Sequence, residues 1–521
     1  LEGTLTFQHK FGELLDMNLM AGMGRYLDSG DGSDISYENA NDHIQGSSVG
    51  MADGPFYPTS YKYKNEKRSQ FVRGSFDLFG RYVVSASLRR DGTDKFFPSK
   101  KYALFPSVSL AWKMNEESFI KNISWINMLK LRASYGETGS DNLGTTLYGI
   151  VTTTREDVQF NNNSVTYIPY ILSGANYEDV TWQKTVMKNI GLDFSIFRDR
   201  IWGSVDVFRN DVTHLLGTAP TELLGMHGTR PINGGHYKRT GIDVSLNSLN
   251  LQTHDFKWTS QITMSHYNAV WIERMPNYDY QKYQKRKNEP MNAFYYYKTT
   301  GIIDMDKSNM PESQRSLGPA ACMPGYPIVE DKNGDGIIDV NDSYMDNMLP
   351  KLYFGFGNTF TWKNFDLDIF MYGQLGVKKW NDAYSYSADA GNLSRGVDAH
   401  NVGIYSYNIW NTQTNTNGYF PGIAISKSVA LPENLGFDYT RENASYIRVR
   451  NITLGYNLGP KELSVFKGYI RGIRVFVDFQ NPLTFTKYKG YDPEINTSSS
   501  NLTGGQYPQM RVYSIGAKLT F

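Results

Sequence analysis

The sequence has almost no cysteine and no long apolar run, the features that define disulfide-rich secreted domains and helical membrane proteins. Its single cysteine, Cys322, excludes a disulfide framework within the chain. It has no apolar run near the length of a membrane-spanning helix, and its mean hydropathy is −0.47. These features exclude a helical membrane protein but allow a β-barrel, because each barrel strand turns only half of its residues towards lipid.

Charge and catalytic motifs exclude two further classes of protein. The chain carries 53 basic and 52 acidic residues, so it lacks the basic excess of a nucleic-acid-binding protein. The eight histidines are scattered without an HExxH motif, and no phosphate-binding or dinucleotide-binding glycine loop is present. Cys322 lies in a loop without the local signature of a nucleophile. We therefore predict that the protein is not an enzyme, has no organic cofactor and binds no nucleic acid.

The chain begins at Leu1 with a strand-like segment and without a secretory signal. A secreted or outer-membrane protein needs such a signal. We therefore expect either a processed product or the later part of a longer protein.

The final segment, residues 511–521, alternates between two faces. One face carries Tyr513, Ile515, Ala517, Leu519 and Phe521, and the other is mostly small or polar. A tilted transmembrane β-strand needs about 9–11 residues. We interpret the segment as a barrel-closing strand with Tyr513, Ile515, Leu519 and Phe521 on its closing face. Taken alone, the segment also fits the edge strand of a soluble protein.

Similar segments recur in pairs along the whole chain. About fifteen strands of about ten residues each are predicted, whereas strands of soluble proteins average about 5–6 residues. Short and long connections alternate, which is typical of an up-and-down barrel with short turns on one side and long loops on the other. A propeller or sandwich would show shorter strands without this alternation. The predicted strands are residues 3–10, 14–24, 69–79, 82–90, 104–113, 128–136, 188–197, 201–209, 240–249, 256–266, 352–362, 365–375, 446–458, 470–480 and 511–521.

The predicted fold class is therefore all-β, a transmembrane antiparallel β-barrel. The first and last predicted strands both run towards the short-turn side, so they are parallel to each other. An antiparallel barrel with an even number of strands then requires an odd number of strands before Leu1. We expect the chain, residues 1–521, to be the C-terminal part of a barrel. The main loops are predicted at about residues 25–66, 137–186, 210–236, 267–350, 376–445 and 481–510.

The sharpest local motif is DKNGDGIIDVND at residues 331–342, inside the loop at 267–350. Carboxylate, amide and backbone oxygens at this spacing resemble a calcium loop, with a glycine at the sixth position for the sharp turn. Aspartate replaces the glutamate of an EF-hand at the twelfth position, and no EF-hand helices flank the loop. A glycine-rich and aspartate-rich turn without metal is the alternative. The predicted Ca²⁺ ligands are Asp331, Asn333, Asp335, the Ile337 carbonyl, Asp339 and Asp342.

Aromatic residues make up 14% of the chain, and many lie in the two longest loops. Aromatic faces stack on sugars or on peptide side chains, so these rings are candidates for contact with a substrate or a covering lid. Packing within the loops is the alternative. The candidates are Tyr295, Tyr296, Tyr297, Trp380, Tyr384, Tyr386 and Trp410. A second set near the ends of strands predicts interfacial girdles, namely Phe79, Tyr82, Trp202 and Trp362.

Several stretches resemble the SusC-like family of TonB-dependent outer-membrane transporters of Bacteroidetes. They cover most of the predicted strands, follow the family's order, and include little of the long loops. The stretches are residues 76–119, residues 129–140 (LKLRASYGETGS), the DKNGDGIID loop, residues 445–458 (SYIRVRNITLGYNL), residues 475–494 and the terminal GAKLTF.

The resemblance implies a barrel of the large class with about 22 strands and a plug. The family's plug, coupling segment and N-terminal domain precede the region that this chain resembles. It also implies the outer membrane of a Gram-negative cell, with contacts to membrane lipid and lipopolysaccharide. A SusD-like lipoprotein would cover the long loops, and TonB would act on the plug. The cargo would be an oligosaccharide or a peptide, and the whole assembly would be a dimer of such pairs.

Two alternatives stay open at this point. A surface barrel or adhesin without transport would show the same strand pattern. A soluble secreted β-protein that binds glycans would share the aromatic loops. A plug on an accompanying segment favours the transporter, whereas release from membranes without detergent favours the soluble protein.

Overall fold

A computed structural model describes most of the chain. The described residues are 1–37, 56–143, 153–155, 160–162, 165–167, 170–172, 177–220, 229–276, 280–285, 288–380, 408–413, 415–418, 422, 431–459, 462–463, 465, 469–490, 492–495 and 509–521. Among them, no helix has the length and apolar character that crossing a membrane would require.

Fifteen strands form one sheet, and each pairs with the next in chain order in antiparallel fashion. The strands are β1 (Glu2–Phe11), β2 (Leu15–Tyr37), β3 (Phe56–Leu78), β4 (Tyr82–Thr93), β5 (Tyr102–Lys113), β6 (Ile126–Ser140), β7 (Gln183–Ile196), β8 (Ile201–Pro220), β9 (Thr229–Gln252), β10 (Phe256–Glu273), β11 (Leu352–Trp362), β12 (Phe365–Leu375), β13 (Tyr446–Leu458), β14 (Gly472–Thr486) and β15 (Val512–Thr520). All fifteen predicted strands are present, and three of them have the predicted bounds.

The predicted loops are wrong at their edges, because several strands continue past the predicted ends. β2 and β3 stay in register as far as the pair Tyr37 and Phe56. β8 and β9 likewise stay paired as far as Pro220 and Thr229. Residues that face lipid must be apolar. Outside the membrane, two strands can stay paired through backbone hydrogen bonds whatever their side chains are. The hydrophobic alternation therefore stops before the strand does.

The sheet has one apolar face and one polar face. In register across the first strands, Leu5 lies beside Ala21, Ala21 beside Val72, and Val72 beside Leu88. At the other end, Leu454 lies beside Val477, and Val477 beside Ile515. In register, a band of apolar side chains crosses this face from strand to strand, and many of these side chains are exposed. The other face carries most of the charged and hydroxyl side chains.

Aromatic residues mark the turn end of the apolar face. Tyr82 stacks on Trp112 with ring centroids 6.4 Å apart, and Trp362 stacks on Phe365 at 6.1 Å. These contacts fit the predicted girdle. The girdle prediction is wrong for Trp202, because its register partners Ser195 and Asn247 lie on the polar face. Phe79, in the turn after β3, is 58% exposed.

The two edge strands run in the same direction. Within the described residues, β1 pairs only with β2, and β15 pairs only with β14. Since fifteen strands alternate in direction, the first and last are parallel. Tyr513, Ile515 and Leu519 project from the apolar face of β15, opposite Phe479, Val477 and Ile473. Phe521 follows the strand and is 74% exposed.

The connection between β10 and β11 folds into small sheets of its own. Ala293–Tyr297 pairs with Tyr344–Asn347 and, in parallel, with Gly436–Phe437 from the next long connection. Thr299–Ile302 pairs with Pro327–Val329. The two longest connections therefore share a hydrogen-bonded substructure.

Candidate functional site

The polar face of the sheet carries charges that pair with opposite charges on the next strand or on the strand after it. Arg132 on β6 donates to Asp193 on β7 at 2.7 Å and to Asp206 on β8 at 3.1 Å. Arg474 on β14 donates to Asp366 on β12 at 2.5 Å. These networks keep positively and negatively charged side chains together on the polar face.

A buried ion cluster lies where β12, β13 and the connection after β14 meet. Arg448 is 2% exposed and donates to Asp492 at 2.7 Å and to Glu494 at 2.6 Å. The Tyr372 hydroxyl donates to Glu494 at 2.7 Å, and Lys379 donates to the carbonyl oxygen of Pro493 at 2.6 Å. We call residues 492–495 the strap, because these bonds fix the segment to the polar face.

The ionisation of the strap follows from its contacts. Burial by itself would raise the pKa of Asp492, but the N–H groups of Glu494 and Gln509 and the Arg448 guanidinium together lower it. Burial lowers the pKa of Lys379. The Asp492 carboxylate is therefore held in its charged form against the cost of removing it from water.

A cavity of about 540 Å³ opens on the polar face beside the strap. Its polar lining consists of Ser204, Asp243, Ser245, Thr263, Ser265, Gln374, Arg450 and Glu494, and its aromatic lining consists of Tyr353, Phe354, Phe370, Tyr372 and Tyr446. Three other grooves lie on the apolar face and are lined by side chains such as Leu5, Val72 and Ile190. Because those grooves face the lipid side, the cavity on the polar face is the better candidate for a water-borne ligand.

The aromatic candidates in the long loops pack against other loop residues. Tyr297 is fully buried, and its hydroxyl donates to the Asp339 carbonyl oxygen at 3.0 Å. Tyr296 stacks on Tyr344 at 5.9 Å, and burial raises the pKa of Tyr296 to about 12. Tyr295 packs edge-on against Tyr283 at 4.7 Å. These contacts match the packing alternative.

Trp410 also packs inside the loops. It is 5% exposed, and its ring occupies the place where a Cβ on Gly325 would project. The Trp380 side chain, Tyr384 and Tyr386 lie outside the described residues. A contact between these candidates and a substrate or lid therefore stays a prediction.

The predicted calcium loop forms a compact turn whose carboxylates accept backbone hydrogen bonds. Asp331 accepts from the N–H groups of Gly334 at 2.8 Å and Gly336 at 2.9 Å. Asp335 accepts from the Ile337 N–H at 2.9 Å. Asp342 is fully buried and accepts from the Lys332 N–H at 2.9 Å.

Two further predicted ligands of the loop also accept backbone hydrogen bonds. Asn333 accepts from the Asp335 N–H at 3.0 Å, and Asp339 accepts from the Asn341 N–H at 2.7 Å. Among the described residues, no group of three or more histidine, cysteine, aspartate or glutamate side chains is arranged to hold a metal ion. Calcium binding thus stays a prediction.

Sequence reasoning missed Arg448, Arg450 and the strap. Residues 445–458 and 475–494 carried the family resemblance. For a charged residue on a barrel strand, however, the sequence predicts only that it faces the lumen and not which residue it pairs with. The strap and Arg448 lie 44 residues apart in sequence. Their pairing is therefore a property of the folded connection.

Comparison with known proteins identifies the family. The family model for "TonB dependent receptor-like, beta-barrel" matches residues 1–481. TonB-dependent receptor P3 of Formosa agariphila is 28% identical over 94% of this chain and 48% of its own length. TonB-dependent receptor SusC of Bacteroides thetaiotaomicron is 27% identical over 89% of this chain and 44% of its own length. The chain belongs to the TonB-dependent receptor β-barrel family.

Solved structures show the same fold. The structure of the RagAB peptide transporter superposes with a TM-score of 0.78 and 22% identity, over 100% of this chain and 55% of the other. The protein is therefore an outer-membrane β-barrel chain that is similar to SusC in sequence and to the RagAB structure in fold. The chain spans about half the length of these relatives. Their names describe receptors and transporters, and none describes an enzyme.

Proposed function

We propose that this chain forms barrel wall and outer loops of a nutrient importer that takes up oligosaccharides or peptides. The observation that carries the proposal is the two-faced sheet, which has a band of apolar side chains on one face and a charged, cavity-bearing surface on the other. In the proposal, the apolar band lies outside the barrel and the charged face lies inside. A barrel wall needs the first to meet lipid, and an aqueous path needs the second.

Two parts of the proposal, energy supply by TonB and a lipoprotein lid, are based on the relatives. The SusC and P3 relatives are named TonB-dependent receptors, and the RagAB structure is titled a peptide transporter. In the proposed mechanism, a SusD-like lipoprotein covers the loops and delivers cargo to the inner face. TonB then pulls on a plug and opens a path to the periplasm. The small sheet formed by residues 293–297, 344–347 and 436–437 would then lie on the rim that the lid covers.

The direction of the two edge strands limits how many further strands can complete the barrel. Its two edges are parallel, so antiparallel closure takes an odd number of further strands, and about seven would complete a barrel of about 22. We propose that these strands and the plug belong to the same transporter, as the half-length match to the relatives suggests.

Uptake in the native organism tests this proposal. Cells with the complete gene deleted should lose uptake of one oligosaccharide or peptide class, and a protonophore should abolish the uptake in wild-type cells. A surface lipoprotein should co-purify with the protein in detergent. Uptake that survives both deletion and the protonophore would contradict the proposal.

A further inference from the structure

Arg450 occupies an irregular position on β13. Its neighbours Val449 and Asn451 pair with Met371 and Phe370 on β12, and the register shifts between them. The same shift occurs against β14. Arg450 is thus left out of both ladders. A β-bulge of this kind turns a side chain away from the regular alternation, and such bulges often lie next to functional sites.

Arg450 differs from three other arginines of the same face. Arg132, Arg448 and Arg474 each form ion pairs with carboxylates. In the part of the chain that the structure describes, Arg450 has no carboxylate oxygen within the 4.0 Å of an ion pair. Its guanidinium lies 5.8 Å from the centre of the Tyr372 ring.

The acidic residues of the cavity are already engaged. Glu494 accepts from Arg448 and from the Tyr372 hydroxyl. Asp243 accepts from the Ser265 hydroxyl at 2.6 Å. Arg450, which lines the same cavity and is exposed, therefore keeps its N–H donors for a ligand.

The rest of the lining resembles what a sugar ring requires. Four hydroxyl groups come from strands β8, β9 and β10, at Ser204, Ser245, Thr263 and Ser265. Tyr353 and Tyr372 add aromatic surface, and Tyr353 stacks in parallel on Tyr267 with centroids 5.7 Å apart. A cavity of about 540 Å³ falls within the usual range for small-ligand sites, roughly 300–1,000 Å³.

We propose that this cavity binds a carboxylate-bearing sugar unit of the cargo and that Arg450 is the specificity-determining residue. A planar guanidinium matches a carboxylate with two parallel hydrogen bonds. The hydroxyl groups and aromatic rings of the lining would hold the sugar ring itself. This inference rests on the proposed function, because it assigns the cavity to an imported glycan.

The test uses the complete transporter with its lipoprotein, purified in detergent, and measures binding by calorimetry. The probes are trigalacturonate, maltotriose as the neutral sugar, and triglutamate as the acidic peptide. The variants are Arg450→Gln, Arg450→Lys and the control Arg73→Gln. Arg73 lies on β3, is exposed and shares the polar face, but it is not part of the cavity lining.

We expect Arg450→Gln to weaken trigalacturonate binding about 10- to 100-fold, as is typical for losing hydrogen bonds to a charged group. Arg450→Lys should recover part of this loss because it keeps the charge without the planar fork. The affinity of Arg450→Gln for maltotriose should change less than about twofold on this scale. The affinity of Arg73→Gln for trigalacturonate should likewise change less than about twofold.

Three results would overturn the inference. They are a wild-type protein that does not bind trigalacturonate, an unchanged affinity in Arg450→Gln, and an equal loss in Arg73→Gln. Triglutamate binding that is tighter than trigalacturonate binding and depends on Arg450 would overturn the assignment to a glycan. If Arg450→Gln fails to assemble, Arg450→Lys carries the comparison. Energy-dependent uptake of a neutral cargo would keep the proposed function even if this inference fails.

Discussion

At the scale of single residues, Arg448 fixes the strap to the polar face of the sheet. It is nearly inaccessible to solvent, and its two carboxylate partners lie on the strap. Removing one partner of a buried ion pair leaves an uncompensated charge, whereas replacing all partners by neutral groups removes that cost. The cluster is therefore sensitive to single substitutions and less sensitive to matched ones.

We expect Arg448→Met to lower the free energy of opening the strap by roughly 3–5 kcal/mol. Hydrogen exchange at the amides of Glu494 and Gln509 reports the change, because both N–H groups donate to Asp492. The matched control is the triple variant Arg448→Met/Asp492→Asn/Glu494→Gln. Exchange in that variant should fall between the wild type and the single variant, and equal exchange in all three proteins would contradict the role assigned to Arg448.

The same strap should depend on pH. The folded structure lowers the pKa of Asp492 below its ordinary value of 3.8. Its contribution to stability is therefore fully present above that ordinary value and is lost as pH falls through the lowered pKa. Proteolysis of the strap by an acid-active protease should accelerate below about pH 4 in the wild type. The Asp492→Asn variant should lack this acid-dependent step.

Calcium binding by the loop at residues 331–342 is a separate prediction. We expect a Kd of about 10⁻⁴–10⁻³ M, as in extracellular calcium modules, because an aspartate at the twelfth position reaches less far than a glutamate. Calorimetric titration of the purified protein measures it. Asp331→Ala/Asp335→Ala should abolish the heat, and Asp306→Ala in the same connection should not. Wild-type protein that gives no heat and carries no bound metal ends the calcium hypothesis.

At the scale of elements, register assigns each side chain to lipid or water. Leu192 on β7 lies beside Leu131 and Val205 on the apolar face. Ser134 on β6 lies beside Ser109 and Asn189 on the polar face. A slip of one residue would exchange the two faces of a strand, so a strongly apolar face also fixes the pairing.

We expect Leu192→Arg to block assembly in the outer membrane, because an arginine on the lipid face costs roughly 2–4 kcal/mol near the midplane. Heat-modifiable migration and outer-membrane abundance measure assembly. Ser134→Arg is the control on the water-facing side of the neighbouring strand and should assemble. Unchanged abundance of the Leu192→Arg protein would contradict the assignment of faces.

Glycines on the polar face of the strands leave space for aromatic rings of the neighbouring strand. The Phe71 ring lies 2.4 Å from where a Cβ on Gly22 would project, and the Phe476 ring lies 2.5 Å from that of Gly516. In both cases the ring covers the backbone of the adjacent strand. The sequence shows these glycines only as gaps in the strand pattern, because the ring that fills each gap is on another strand.

At the scale of the whole molecule, the parallel edges limit how the barrel can close. Direct pairing of β1 with β15 would be parallel, whereas neighbours in transmembrane barrels of this kind are antiparallel. The edges should therefore be separated by further strands in the assembled protein. This prediction needs no knowledge of the cargo.

Disulfide cross-linking in the outer membrane tests the separation of the edges. In a Cys322→Ser background, Val477→Cys/Ile515→Cys should cross-link, because the two residues are register partners on β14 and β15 and such partners have Cα atoms about 4.5–5.5 Å apart. Leu5→Cys/Ile515→Cys should not cross-link. A disulfide in the second variant would show that the edges meet directly.

The sequence by itself determined the strand count, the alternation of turns and loops, and the class of the protein. These follow from local periodicity, since a strand that faces lipid must alternate over its whole width. The end of β15 near Thr520 and the whole of β11 and β12 could be located in this way.

Only the tertiary structure decided where each strand continues beyond the membrane and which charges meet. The ladder of β2 and β3 extends through polar residues that carry no hydrophobic signal. The pairing of Arg448 with the strap and the bulge at Arg450 depend on distant strands in register. Contacts of this kind are set by backbone hydrogen bonding and by the path of a long connection, and neither leaves a period in the sequence.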